Sequence, residues 1–175
     1  MKNKNLITFI LFIFFLATTF LKAEPVKATV QSVKGSVKFA MPGSIFFKKL
    51  KSGATLSSGT IIKTGVGSEA IISVTPGAAM RIDENTTVAI SDMEFSKKDG
   101  KVTRRAANIQ LSEGTLSSLL DSKNPEATDF RVKTPQGTAA ARGTFYGVSV
   151  VDGQTFVKVE EGKVGFQKNP EPEIE

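Results

Sequence analysis

The stretch TPQGTAAARGTFYGV, Thr134–Val148, places one arginine among residues that have almost no side chain. Arg142 offers five N–H donors in a fixed planar fork, and the small residues beside it let backbones approach closely. A guanidinium in this setting can clamp a carboxylate of a ligand or partner. It can also be buried, where it would brace backbone carbonyls at a crowded crossing of strands. The residues alone leave both alternatives open.

Catalytic chemistry has few candidates, because the chain contains neither histidine nor cysteine. The usual general base and the thiol nucleophile are therefore absent. Paired carboxylates, as in glycoside hydrolysis, would have to come from Asp83, Glu84, Asp92, Glu94, Glu113, Asp121 or Asp129. Most of these acids lie at turns or in polar segments, and no Asp-x-Asp-x-Asp-Gly calcium loop occurs. The sequence predicts no enzyme, no metal site and no cofactor.

The basic residues are scattered, apart from a group at Lys97–Arg105. A basic hairpin could touch anionic lipid headgroups, but a solvated charged loop is the interpretation that we favour. A nucleic-acid partner would need a concentrated basic stripe with stacking aromatics. We therefore expect no nucleic-acid partner.

The N-terminus has the composition of a secretory signal peptide. Lys2 and Lys4 precede the uncharged run Leu6–Leu21, and Ala23 offers a small residue for cleavage. We expect cleavage after Ala23 and a periplasmic or secreted protein; an uncleaved single-helix anchor is the alternative, and the only expected membrane contact. Loss of residues 1–23 removes three lysines and no acid, so the net charge falls from +6 to +3.

From Thr29 onward, short β-branched and apolar runs alternate with polar residues and are punctuated by Gly, Pro, Asn or Asp. This pattern predicts an all-β domain. The predicted strands are Thr29–Val33, Ser36–Phe39, Thr60–Lys63, Glu69–Val74, Ala79–Ile82, Thr87–Ile90, Ala107–Leu111, Thr115–Leu119, Phe130–Thr134, Tyr146–Val151, Thr155–Val159 and Gly162–Gln167. Ser91–Arg105 and Asp121–Asp129 are interpreted as polar insertions, the first with a turn at Lys98–Lys101.

A strand–corner–strand unit recurs at VQSVKGSVKF, IQLSEGTLSSL and VKVEEGKVGF. Each unit has a glycine at the same point, namely Gly35, Gly114 and Gly162, where a tight corner needs a positive backbone angle. Repeated units that bury their faces on one another suggest a solenoid-like or sandwich-like arrangement. The predicted organisation is a signal peptide (residues 1–23), a linker (24–29), the β domain (30–167) and a disordered tail (168–175).

The ordered set of small motifs resembles the FecR domain over roughly residues 30–166. The motifs are Gly35-Ser36-Val37, the three-residue steps from Leu50 to Ile62 that end in Thr64-Gly65, Gly67-Ser68-Glu69-Ala70, Asn85-Thr86-x-Val88, Leu111-x-x-Gly114-x-Leu116, Val132-x-Thr134-Pro135, Arg142-Gly143-Thr144 and Val159-x-x-Gly162-x-Val164. The resemblance implies structural roles for Gly35, Gly59, Thr64, Gly65, Thr134, Pro135, Arg142, Gly143, Thr144 and Gly162. It favours the buried brace for Arg142.

The best-known proteins of this family join a cytoplasmic anti-sigma segment and one membrane helix to a periplasmic β domain that receives a signal. Only five residues precede Leu6 here, so we expect a stand-alone exported form and no sigma-factor partner. The resemblance implies a non-enzymatic module of the bacterial envelope that binds an unknown envelope protein or senses a signal. The alternative is a glycan-binding or cell-wall-associated module, although the chain has no Trp and one Tyr.

Overall fold

The computed structural model describes residues 26–170, which form an all-β domain, as predicted. Within that range the one helical element is a 3₁₀ turn at Pro125–Ala127. The strands are β1 (Ala28–Lys34), β2 (Val37–Ala40), β3 (Lys48–Lys49), β4 (Thr55–Leu56), β5 (Thr60–Thr64), β6 (Glu69–Thr75), β7 (Ala78–Ile82), β8 (Thr87–Lys98), β9 (Lys101–Leu120), β10 (Thr128–Lys133), β11 (Gly137–Ala141), β12 (Phe145–Val151), β13 (Gln154–Glu161) and β14 (Val164–Lys168).

The strands form one sheet that curls into two layers, joined through β9. Layer A has the order β4-β1-β6-β7-β9-β12-β13, and all of its pairs are antiparallel. Layer B has the order β3-β2-β5-β8-β9-β10-β11-β14, in which only the β9–β10 pair is parallel. The layers enclose one apolar core. Of the two predicted arrangements, solenoid-like and sandwich-like, this architecture corresponds to the sandwich-like one.

Alternation along each strand fills the core from both layers. Layer A contributes Ile72, Met80 and Leu116, among others, and layer B contributes Ile62 and Ile109, all of them fully buried. Within residues 26–170, every buried member of this core lies between Ala28 and Val150. These residues form one continuous hydrophobic cluster between the two layers.

The crossing of β9 from one layer to the other takes place at Gly114. Residues up to Glu113 pair with β8 in layer B, whereas Gly114–Leu120 pair with β7 and β12 in layer A. Gly114 has a φ of +90°, a region that side-chain-bearing residues rarely adopt. A Cβ at this position would lie 2.2 Å from Oγ1 and 2.5 Å from Cα of Thr86. Only glycine fits at this corner.

Two threonines fix the backbone around the crossing. The Thr64 hydroxyl donates to the Asp83 carbonyl at 2.6 Å and accepts the Thr86 N–H at 2.9 Å. The Thr86 hydroxyl in turn accepts the Thr115 N–H at 2.9 Å. These bonds connect β5, the β7–β8 turn and β9, so they hold the wall against which Gly114 packs.

The prediction of a polar insertion at Ser91–Arg105 is wrong. These residues extend β8 and β9 into a long hairpin, which closes at Asp99 and Gly100 with positive φ angles of 51° and 75°. The polar composition reflects an extension that is mostly solvent-exposed, where strand pairing continues without an apolar core beneath it. The predicted turn at Lys98–Lys101 is present.

Three strands have no counterpart among the predicted elements: β3, β4 and β11. The first two have only two residues each, too few to show an alternating pattern. β11 has the sequence Gly-Thr-Ala-Ala-Ala, and glycine and alanine are depleted in strands. At the C-terminus, β14 extends to Lys168, which pairs with Gly137. The predicted signal peptide, and residues 171–175 of the predicted tail, lie outside the described residues.

Replacement of Gly114 by alanine should destabilise the domain by about 3 kcal/mol or more, because a strained φ and backbone overlap add up. The matched control is Gly147→Ala in the neighbouring strand β12, where a Cβ would meet nothing closer than 3.8 Å. Urea unfolding of both variants measures the difference. Equal unfolding midpoints for the two variants would show that the crossing does not depend on Gly114.

Candidate functional site

The opening stretch Thr134–Val148 forms the β10–β11 turn, β11, a second turn and β12. Its small residues accommodate the last strand of layer B. A Cβ on Gly137 would lie 2.4 Å from the Gln167 carbonyl and 2.7 Å from the Phe166 ring. Ala139 and Ala141 are buried and pair with Phe166 and Val164. The stretch therefore has a packing function, since larger residues would displace β14.

Arg142 does not brace the fold. Its side chain is exposed, and it has no hydrogen bond or salt bridge to another residue of 26–170. The buried-brace interpretation is wrong because Arg142 follows the inward-facing Ala141 and so points to solvent by the alternation of the strand. Its neighbours fulfil structural roles. Gly143 has a φ of +73°, and a Cβ at this position would lie 2.8 Å from Ser122 Cα. The Thr144 hydroxyl donates to the Lys163 carbonyl.

The remaining motif residues also lie at corners. Gly35 has a φ of +73°, and a Cβ there would collide with Ser68. The Gly65 N–H donates to the Ser36 carbonyl at 2.9 Å, next to the Thr64 bonds described above. Gly59, at a φ of +84°, packs on the Pro42 ring.

The C-terminal motif residues fix the strands that follow β10. The Thr134 hydroxyl donates to the Gly137 carbonyl and accepts the Gly137 N–H, closing the β10–β11 turn. The Pro135 carbonyl accepts from the Asn169 side chain at 2.9 Å. Gly162 has a φ of +88° and packs against the Thr144 side chain. The structure brings Thr144 and Gly162 together, whereas Arg142 stands apart.

The buried arginine of this fold is Arg105, which the sequence analysis had placed in a solvated loop. It is 4% exposed. Its guanidinium donates to the Thr128 hydroxyl at 2.7 Å, to the Asp121 carbonyl at 3.1 Å and to the Pro76 carbonyl at 3.2 Å. A Cβ on Gly77 would lie 1.9 Å from Nη1, so Gly77 leaves room for the guanidinium. Arg105 thereby connects the β6–β7 turn, the end of β9 and the start of β10.

Loss of this brace should destabilise the domain. Arg105→Ala is expected to cost about 2–4 kcal/mol because several charge-assisted hydrogen bonds are lost. Arg105→Lys should recover little, since an ammonium lacks the planar fork. Arg142→Ala, the matched control, should stay within about 0.5 kcal/mol of the parent. Chemical denaturation of the three variants checks this; equal losses for Arg105→Ala and Arg142→Ala would contradict the assignment.

Several of the candidate catalytic acids hold structural partners, and Glu94, Asp129 and Asp92 lie around Arg104. Asp83 pairs with Arg81 at 2.9 Å, Asp129 pairs with Arg131 at 2.8 Å, and Glu94 pairs with Arg104. Within residues 26–170 no three of the Asp and Glu side chains gather into a group that could hold a metal ion. The arrangement of these acids is that of exposed turns and strand faces.

The most unusual surface is the flank where both layers end, formed by β13 and β14. Among the strands of residues 26–170, β13 pairs with β12 alone and β14 pairs with β11 alone. The opposite edges, β3 and β4, have two residues each, whereas β13 has eight. Edge strands of this length present a row of backbone groups to which another chain can pair. We call this surface the β13–β14 flank.

Backbone geometry shows which groups of β13 face outward. The Thr155 N–H donates to the Gln136 side chain at 2.7 Å, so it points away from β12. In an antiparallel pair, alternate residues point their N–H and C=O groups to the same side. The corresponding groups of Val157 and Val159 therefore also face away from β12. Among residues 26–170 no further strand covers them.

Apolar side chains accompany this free edge. Phe156, on the outer face of layer A, is 56% exposed, and Val159, on the core side, is 43% exposed. Across the sandwich, Phe166 of β14 is 40% exposed. A groove of about 410 Å³ adjoins the end of β13 and is lined in part by Leu119, Phe145 and Glu161. The flank thus combines unpaired backbone with uncovered apolar area.

The chain's only tyrosine does not contribute to a surface site. Tyr146 is fully buried, and burial raises the pKa of its hydroxyl above the ordinary value, against a smaller lowering effect of Ser118. The two hydroxyls lie on directly paired residues, yet within residues 26–170 neither has a partner at both the distance and the angle of a hydrogen bond. A buried hydroxyl without a partner costs free energy of folding.

Tyr146→Phe should therefore leave the domain equally stable or stabilise it by up to about 1 kcal/mol at neutral pH. Because the pKa is raised in the folded state, the unfolded state loses the proton first. The parent should lose stability as pH rises above about 10, the ordinary pKa of tyrosine. Melting temperatures of the two proteins from pH 7 to 11 test this; parallel pH curves would contradict it.

A family model described as FecR protein matches residues 60–165, more than half of the chain. The match includes β5 to β13 and the Arg-Gly-Thr segment, whereas Gly35 and Gly59 precede it. Comparison with curated proteins and with solved structures gave no match. No helix within residues 26–170 is long and apolar enough to cross a membrane.

Proposed function

We propose that this chain, which belongs to the FecR family, is a protein-binding module of the bacterial envelope that pairs a strand of its partner with the free edge of β13. Family membership makes the chain a signal-transduction or envelope-related module, and the family is regulatory and non-enzymatic. We further propose that this chain has no catalytic activity and is periplasmic or secreted. The composition of residues 1–23 supports export.

The observation that carries the proposal is the outward-facing backbone of Val157 and Val159 on an eight-residue edge strand. An incoming strand would gain main-chain hydrogen bonds from this edge, which is a general mode of peptide recognition. The side chains of the added strand on its core side would cover Val159 and the Phe166 ring. Those on the outer side would lie beside Phe156. Affinity would thus come from the backbone, and selectivity from the apolar positions.

Charged residues at the end of β13 protect this edge from pairing with the same edge of a second copy of the chain. Lys158 and Glu160 form a salt bridge at 2.6 Å, and Glu161 follows. Charged residues on an edge strand discourage pairing between identical edges. The centre of the strand remains apolar, so a partner of suitable sequence can still pair there. Tyr146 is buried and Trp is absent, which weakens the glycan-binding alternative, since glycan sites usually display such aromatics.

Substitution of Val157 by proline should abolish partner binding while leaving the domain folded. The N–H that proline removes points away from β12, and proline is tolerated on edge strands in that orientation. Val157→Thr keeps both the N–H and the branched shape, so it is the matched control and should bind like the parent. A photoreactive residue at Phe156 reports the partner in cells, with the same residue at Val66, on a distant turn, as the position control.

We expect a defined protein adduct from position 156, none from position 66, and loss of the adduct in Val157→Pro but not in Val157→Thr. An adduct that persists in Val157→Pro at full yield would contradict strand addition. Crosslinks to glycan alone, without a protein adduct, would favour the cell-wall alternative.

A further inference from the structure

The β2–β3 loop, Met41–Phe47, presents apolar side chains to water. Ile45 is 83% exposed and Phe46 is 75% exposed. The loop has a defined shape, since the Ser44 N–H donates to the Met41 carbonyl and the Ser44 hydroxyl accepts the Phe46 N–H at 3.1 Å. Contiguous exposed apolar residues on a fixed loop indicate a contact surface.

Three lysines stand side by side next to this loop. Lys38 of β2 pairs directly with Lys49 of β3 and with Lys63 of β5, and all three side chains are exposed. We call them the lysine row. Like charges at directly paired positions destabilise a sheet, and none of the three forms a salt bridge with an acid of residues 26–170. An anionic ligand would relieve this repulsion.

The loop and the lysine row belong to one surface. Lys63 Nζ lies 4.9 Å from the centre of the Phe47 ring. Ile45, Phe47, Ile61 and Lys63 together line a groove of about 480 Å³ on the outer face of layer B. The apolar and the basic parts of the surface therefore face the same way.

The charge of this region is one-sided. Residues 25–68 contain seven lysines and no acid. Across the strands of layer B, Lys63 pairs with Thr87 of β8, and Thr87 pairs with Glu113 of β9. The first acid in line with the lysine row is therefore two strands away. The hairpin tip at Lys97–Lys101 differs, because Asp99 lies within it and it contains no apolar residue; the nearby Phe95 is only half-buried, not protruding.

We propose that the Met41–Phe47 loop and the lysine row together dock on the surface of an anionic phospholipid bilayer. The exposed side chains of Ile45 and Phe46 enter the boundary between headgroups and acyl chains, and the lysine row contacts the headgroup phosphates. Interfacial binding of this type combines buried apolar area with attraction to anionic lipid. Lysine stems can lie along the apolar region while their ammonium groups stay in water.

A fluid bilayer fits this surface better than a folded partner does. Ile45 and Phe46 protrude from the loop, and a bilayer accepts such protrusions without a preformed pocket. This contact is separate from the β13–β14 flank and differs from the membrane contact expected from the sequence, which was limited to the N-terminus. A docked domain would keep its free strand edge available.

Vesicle co-sedimentation tests the proposal. The chain is produced from Glu24, which omits the apolar N-terminal run and retains every core residue between Ala28 and Val150, and cooperative melting establishes that it is folded. We expect binding to vesicles of phosphatidylcholine with phosphatidylglycerol as the minor anionic component, weaker binding to pure phosphatidylcholine, and a decline with added salt. The variant I45S/F46S should bind at least about tenfold more weakly. The variant K38Q/K49Q/K63Q should bind on the order of a hundredfold more weakly, because each lysine near the surface contributes about a factor of five to the affinity.

Two controls remove the same chemistry elsewhere. K97Q/K98Q/K101Q takes three charges from the hairpin tip, and Val66→Ser removes another exposed apolar side chain (82% exposed); both should bind vesicles like the parent. Val157→Pro, which tests strand addition, should bind vesicles like the parent. The bilayer contact and strand addition can therefore be rejected separately. If the two triple-lysine variants lose vesicle affinity equally, binding depends on the net charge of the domain alone. That result would rule out the lysine row as a specific contact. If the parent does not bind the vesicles, the proposal is overturned. This holds even if the parent binds a DNA duplex, which would show only a general attraction to polyanions.

Discussion

One backbone position governs the whole domain: the crossing of β9 between the two layers at Gly114. β9 is twenty residues long and pairs with β8 and β10 before the crossing and with β7 and β12 after it. The crossing needs a positive φ and tolerates no Cβ against Thr86. Because the four strands β7, β8, β10 and β12 all pair with this one strand, the glycine sets the relation of the layers and the closure of the core.

The free flank follows from the same arrangement. β12 pairs with the second half of β9, which leaves β13 at the end of layer A, and β10 pairs with the first half, which leaves β14 at the end of layer B. Gly162 turns the chain from one edge to the other. Arg105 fixes β9, β10 and the β6–β7 turn, so both edges are held on a rigid support. A rigid edge loses little conformational entropy when a strand pairs with it.

Local signals in the sequence predicted much of the fold but misassigned its arginines. Alternation gave most strands, and glycines at Gly35, Gly114 and Gly162 indicated corners where the structure has positive φ angles of 73°, 90° and 88°. Alternation also contained the missed signal: steps of two from Ile109 through Ala107 lead to Arg105, on the core side. The partners of Arg105 are 16 to 29 residues away in the chain, and local patterns carry no information on such contacts. The free edge of β13 likewise depends on the order of strands in space, which alternation does not encode.

Amide hydrogen exchange in the folded domain measures directly whether the backbone edge of β13 is unpaired. The N–H groups of Phe156 and Lys158 face β12, whereas those of Val157 and Val159 face outward. We expect slow exchange at Phe156 and Lys158, and exchange faster by orders of magnitude at Val157 and Val159. Binding of the partner should slow the two valine amides selectively. Equally slow exchange at all four amides in the isolated domain would show that the edge is already covered and cannot accept an incoming strand.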